Sequence, residues 1–183
     1  MSVAAVLLCG CARDPLVSST HTTSAGNWKI ENQVDRITGA PLASAYLMTR
    51  NSSNSGVPLA HPAMLQVLCF KDQPAIRISF EFKVGSEKNA VFGYRFDEKP
   101  GHESDARFVQ DYKTVVIEDK AEVDRFIGEM ATSSALYVRI RSLNVGRSSA
   151  EFQLDGAPAA IGAALAGCHA APAAKQASAQ SAG

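Results

Sequence analysis

Between Ile76 and Val84 the side chains alternate without a break: Ile76, Ile78, Phe80, Phe82 and Val84 are apolar, and Arg77, Ser79, Glu81 and Lys83 are polar. Successive side chains of an extended chain point to opposite faces, so a period of two predicts a strand with one buried face and one wet face. A helix would scatter the same apolar set around its axis. Shorter stretches repeat the pattern. Trp28 and Ile30, Leu42 to Thr49, Leu65 to Phe70, Val91 to Phe96, Thr114 to Ile117, Leu136 to Arg141 and Ala150 to Leu154 read as strands. In Leu65 to Phe70, Leu65, Val67 and Cys69 alternate with Gln66, Leu68 and Phe70, so that strand is apolar on both faces. Asn51 to Gly56 reads as a polar loop, and Gly85 to Asn89 and Asn144 to Ser149 as turns. About seven or eight short antiparallel strands with frequent turn signals predict a mainly β domain, a sandwich or barrel-like form.

Two short helices interrupt the alternation. Asp119 followed by Glu122 marks a capped start. Val123, Phe126, Ile127 and Met130 then fall on one stripe at helical spacing. The second helix runs from about Pro158, a residue suited to a first turn, to Gly167 and closes the domain. Ile161, Leu165 and Cys168 lie on one side of it.

A chain of 183 residues suits one domain better than two. Residues 12–26 are rich in Ser, Thr and Gly and read as a flexible tether. Residues 169–183 are mostly Ala, Gln and Ser and read as a disordered tail. That leaves 27–168 as the folded domain, and with 46% hydrophobic residues it can bury a core. A formal net charge of zero argues against a nucleic-acid partner, which asks for a basic excess.

The first eleven residues resemble a bacterial lipoprotein signal. A short apolar stretch ends in Leu8-Cys9-Gly10-Cys11, with Gly10 small enough for a signal peptidase to approach and the Cys11 thiol placed to take a diacylglycerol. Cys9 is an unusual residue two places before the modified cysteine, and two further features depart from the pattern: no Lys or Arg precedes Arg13, and the apolar stretch is short. A start site upstream of Met1 would supply both. The other reading is a buried first strand with incidental cysteines. If Cys11 is lipidated, Ala12 offers no retention charge, so delivery to the periplasmic face of the outer membrane is expected.

Cys69 and Cys168 remain for the domain. Both sit on apolar faces, and an exported domain with an even leftover pair usually bridges it. Two buried free thiols, behaving as small hydrophobes, are the alternative. Two cysteines with no histidine nearby make too few ligands for zinc, so no metal or other cofactor is expected.

No catalytic motif is present. His21, His61, His102 and His169 show no ligand spacing, and His61 and His102 fall in expected loops. Asp97-Glu98 and His102-Glu103-Ser104-Asp105 form an acidic cluster around a turn. A hydrolase can use such carboxylates, but solvated loop charge is the commoner origin. Arg77, Arg95, Arg139 and Arg141 lie on polar strand faces. They form either a basic binding patch or an ordinary wet sheet face.

Trp28, the strand Leu65-Gln66-Val67-Leu68-Cys69, and Tyr94-Arg95-Phe96-Asp97 form one part of a wider pattern. A helix ending in Phe126-Ile127, Leu136 to Ile140, Ala150 to Gly156 and a terminal helix reaching Cys168 complete it. The chain resembles the TagO-like envelope proteins associated with type VI secretion over most of residues 28–168. It departs at Val34-Asp35-Arg36, where that family has an Asp-Asp turn, and in its Ala-rich tail. The resemblance implies an exported accessory domain and supplies no catalytic residues. The expected role is non-enzymatic binding of protein partners in the cell envelope, with membrane contact through the lipid alone. Nothing in the sequence sets an oligomeric state. An inhibitor or immunity-like protein, an envelope hydrolase and a glycan-binding module are the alternatives. An exposed apolar or aromatic patch would favour binding, and converging carboxylates with shifted pKa values would favour catalysis.

Overall fold

The computed structural model describes residues 17–168, so the signal-like segment with Cys9 and Cys11, and the tail from His169, lie outside the described residues. Eleven strands form one antiparallel sheet. They are β1 (Val17–Ala25), β2 (Trp28–Asp35), β3 (Pro41–Asn54), β4 (Val57–Phe70), β5 (Gln73–Phe80), β6 (Ala90–Phe96), β7 (His102–Ser104), β8 (Arg107–Val109), β9 (Thr114–Ile117), β10 (Ala135–Ser142) and β11 (Gly146–Gln153). Two helices, α1 (Lys120–Met130) and α2 (Ala157–Ala164), complete the domain.

The mainly β class holds, and the strand count is higher than the alternation indicated. The stretch 17–25, whose composition reads as tether, is β1 and pairs with β2 from Val17–Asp35 to Ala25–Trp28. The polar segment after Thr49 continues β3 as far as Asn54. Ser52 and Asn54 turn inward there, and their side chains bond the His61 carbonyl (2.6 Å) and Ser148 Oγ (2.8 Å). Polarity marks a loop only when the groups must reach water, and here the protein satisfies them. His61 therefore lies on β4 and His102 on β7, not in loops. β5 ends at Phe80, four residues before the alternation does.

The strand order is β7-β6-β10-β11-β3-β4-β5-β9-β8, with β2 and β1 branching from the first half of β3. The sheet curls into a half-barrel. Its two end strands, β7 and β8, are separated in sequence by Asp105 and Ala106 alone, so they lie within about 11 Å of each other. The concave side holds the core, with Trp28, Leu65, Ile76, Ile78, Phe92, Phe96, Leu136, Ile140 and Phe152 all buried.

Helix α1 fills this concavity. The Asp119 carboxylate accepts the Glu122 N–H at 3.0 Å, and Val123, Phe126 and Met130 are fully buried. The buried face of α2 is small: Ala157, Ala160, Ile161 and Ala164. Small side chains let it sit close to β2 and β3. The approach is closest at its start. Gly156 (φ 88°) meets the hairpin of β1 and β2 at Gly26 (φ 54°) backbone to backbone, and the Asn27 N–H donates to the Asp155 carbonyl at 3.1 Å. A Cβ on Gly156 would collide with the Ala25 carbonyl oxygen.

Cys69 on β4 and Cys168 after α2 form a disulfide with Cα atoms 5.5 Å apart. The bridge ties the end of α2 to the sheet.

Candidate functional site

The acidic turn after β6 does not converge on a reaction centre. Asp97 adopts φ 47°, and its carboxylate accepts the N–H groups of Ala135 (2.8 Å) and Ser134 (3.0 Å). The hydrogen bond from Ala135, then that from Ser134, holds its carboxyl below the usual range. Its share of stability is therefore present above the ordinary carboxylate pKa and is lost as pH falls. Asp97 is a clamp fastening the loop after α1 to the end of β6. Glu98 lies 3.7 Å from Arg95, and His102 Nε2 lies 2.9 Å from Glu129 Oε1. Tyr94 donates its phenol to Glu122 at 2.5 Å, and burial, reinforced by that carboxylate, raises its pKa. A phenol held protonated is a donor and not a base. Asp97 and His102 thus each fasten separate pieces of the fold, whereas Glu98 pairs only with Arg95 three residues before it.

Asp105 lines a groove of about 780 Å³ where the sheet path fails to close, together with Glu87, Phe92, Glu103, Phe108 and Glu122. The Glu87 carboxylate accepts the Phe108 N–H at 2.8 Å. It stands where a neighbouring strand would offer a carbonyl to β8. The hydrogen bond from its own N–H and then that from Phe108 lower its pKa.

The arginines do assemble. Across the outer face of β6 and β10, Arg95 pairs with Tyr137, Gly93 with Arg139 and Val91 with Arg141. The Arg95 guanidinium lies over the Tyr137 ring, 5.3 Å from its centre. Across β10 and β11, Arg141 pairs with Arg147, which the sequence reading missed. Arg77 does not join them. It sits on β5, paired with Gln66 and Val116. Glu103 reaches across from β7, and its Oε1 lies 2.6 Å from Arg141 and 3.5 Å from Arg139. Between Arg95, Tyr137, Arg139 and Glu103 lies a depression of about 440 Å³.

The outer face of β3 and β4 carries apolar side chains among polar ones: Met48 pairs with Met64, Tyr46 with Gln66 and Ser44 with Leu68. Met48 and Phe70 are 53% and 58% exposed. Leu68 and Phe70, the second apolar face expected of this strand, emerge on the outside.

No protein-family model, curated protein or solved structure matches the chain.

Proposed function

We propose that the protein is an exported, non-enzymatic binding domain. In this reading a lipid on Cys11 anchors it to the periplasmic face of the outer membrane, where it is accessory to an envelope assembly of the type VI secretion kind. The observation that carries the binding reading is the outer sheet face, where Arg95, Tyr137, Arg139 and Arg141 are displayed on β6 and β10, each paired with a strand on both sides. Strand-mounted side chains are held more firmly than loop side chains, which suits recognition. The exposed side chains of Met48 on β3 and Phe70 on β4 support the same reading. The Cys69–Cys168 bridge supports export, because disulfides persist in oxidising compartments. The secretion link rests on the resemblance to TagO-like proteins. A disulfide-braced face also suits an inhibitor, in which case the partner is an enzyme that loses activity when bound.

Photo-crosslinking in the full-length chain tests the binding reading. A photoreactive side chain is placed at Tyr137 in one variant and at Phe70 in another. A discrete covalent adduct with an envelope protein from at least one position is the expected result. Absence of any adduct from both positions contradicts a binding domain.

A further inference from the structure

We propose that the arginine face docks an acidic polypeptide segment of an envelope partner, and that Glu103 is an internal stand-in for that partner's carboxylate. This rests on the reading of the domain as a binding module and adds the chemistry of what is bound.

The first observation is a like-charge pair. Arg141 and Arg147 face each other directly across the β10–β11 ladder, and both are exposed. Like charges at opposed positions destabilise a sheet, so the pair is costly unless an anion sits between or above its members. Glu103 answers part of that need. One of its oxygens bridges Arg141 and Arg139, leaving the rest of both guanidinium forks pointing outward, where each is about 51% exposed. A guanidinium fork is built for two parallel bonds to one carboxylate, and this contact uses a single oxygen.

The second observation is the shape of the surface. Gly93 is the outward residue of β6 between Val91 and Arg95, and it floors the depression beside Tyr137 and Arg139. A Cβ there would come within 3.2 Å of the His102 carbonyl oxygen. The missing side chain opens a space against which Arg95, resting on the Tyr137 ring, is already positioned. Such stacking lowers the ordering cost of engaging an anion.

The third observation selects a polypeptide over other anions. Arg139 and Arg141 are two residues apart on one strand, so they repeat at about 6.7 Å. Carboxylates two residues apart on an extended acidic segment repeat at the same spacing. Glu103 shows the geometry in miniature, because it reaches these arginines from an extended strand, β7, laid beside β6. A partner strand of acidic residues would offer several carboxylates where β7 offers one.

The test uses the full-length chain in detergent and a fluorescent peptide of eight glutamates, with an eight-lysine peptide and phosphatidylglycerol vesicles as comparisons. The chain is expected to bind the glutamate peptide, more weakly as salt rises, and not the lysine peptide. Arg139→Gln with Arg141→Gln is expected to weaken binding about tenfold or more. Glu103→Gln is expected to strengthen it about threefold, because the internal competitor is gone. Should the double variant fail to fold, Arg147→Gln is expected to weaken binding about threefold. Equal binding by wild type and a folded double variant overturns the proposal. So does binding to the vesicles with none to the peptide. Weaker binding by Glu103→Gln removes its stand-in role. A crosslink at Phe70 alone, with no glutamate-peptide binding, overturns this proposal and leaves the binding-module reading standing.

Discussion

Replacing Cys69 and Cys168 together by Ala is expected to cost the domain about 4 kcal/mol. The bridge joins positions 99 residues apart, so it closes about two thirds of the described chain and removes much of the freedom of the unfolded state. Chain entropy for a loop of that size gives roughly 4–5 kcal/mol. A domain of this size has about 5–15 kcal/mol in all, so the loss is a large share. The effect should concentrate at α2. That helix has eight residues and buries three alanines and one isoleucine, and isolated helices of such length are marginal. Urea denaturation of the double variant against the oxidised wild type measures the total. Hydrogen exchange should show α2 amides losing protection before those of β4 and β10. A difference under about 1 kcal/mol contradicts the clasp.

Phe126→Ala is expected to cost about 3–5 kcal/mol. The ring is fully buried, and its centre lies 4.8 Å from that of Tyr94 and 5.0 Å from that of Phe96. It is the plug by which α1 fills the half-barrel, so its removal leaves a cavity that the surrounding strands cannot collapse to close. Tyr94 is tied to Glu122 on the same helix, which further limits relaxation. Lys120→Ala is the control. Its partner Asp124 is an exposed neighbour on the helix surface, and such pairs contribute at most about 0.5 kcal/mol. Denaturation midpoints for the two variants read the difference directly. A Phe126→Ala cost below about 1.5 kcal/mol would place the core elsewhere.

The central strands were legible because burial on one side writes a period of two into Ile76 to Phe80 and Leu136 to Ile140. Helix α1 was legible because its cap and its stripe agree. Strand β1 was not, since Ser, Thr and His fill a branch of the sheet whose side chains from His21 to Ser24 are exposed, and no alternation results. Its threonines suit a strand, but composition alone reads as tether. Strands β7 and β8 have three residues each, too few to show any period. The arginine face was half legible. Arg95, Arg139 and Arg141 could be placed on wet faces, but which wet faces adjoin depends on strand order, and that is tertiary information. Alternation alone does not separate Arg77, which lies on β5, from them. Arg147 was hidden because the hairpin turns at Leu143 to Val145, earlier than its Gly and Ser residues indicated. In the acidic turn, the Asp97 side chain bonds backbone from another loop, a role that spacing cannot reveal.

Peptide mapping by mass spectrometry of the chain recovered from the membrane fraction, alkylated without reduction, tests export, anchoring and bridging together. The expected result is a mature chain beginning at an acylated Cys11, with Cys69 and Cys168 protected from alkylation. A soluble chain whose N-terminus lies before Cys11, without an acyl group and with both domain thiols alkylated, would contradict an anchored envelope domain.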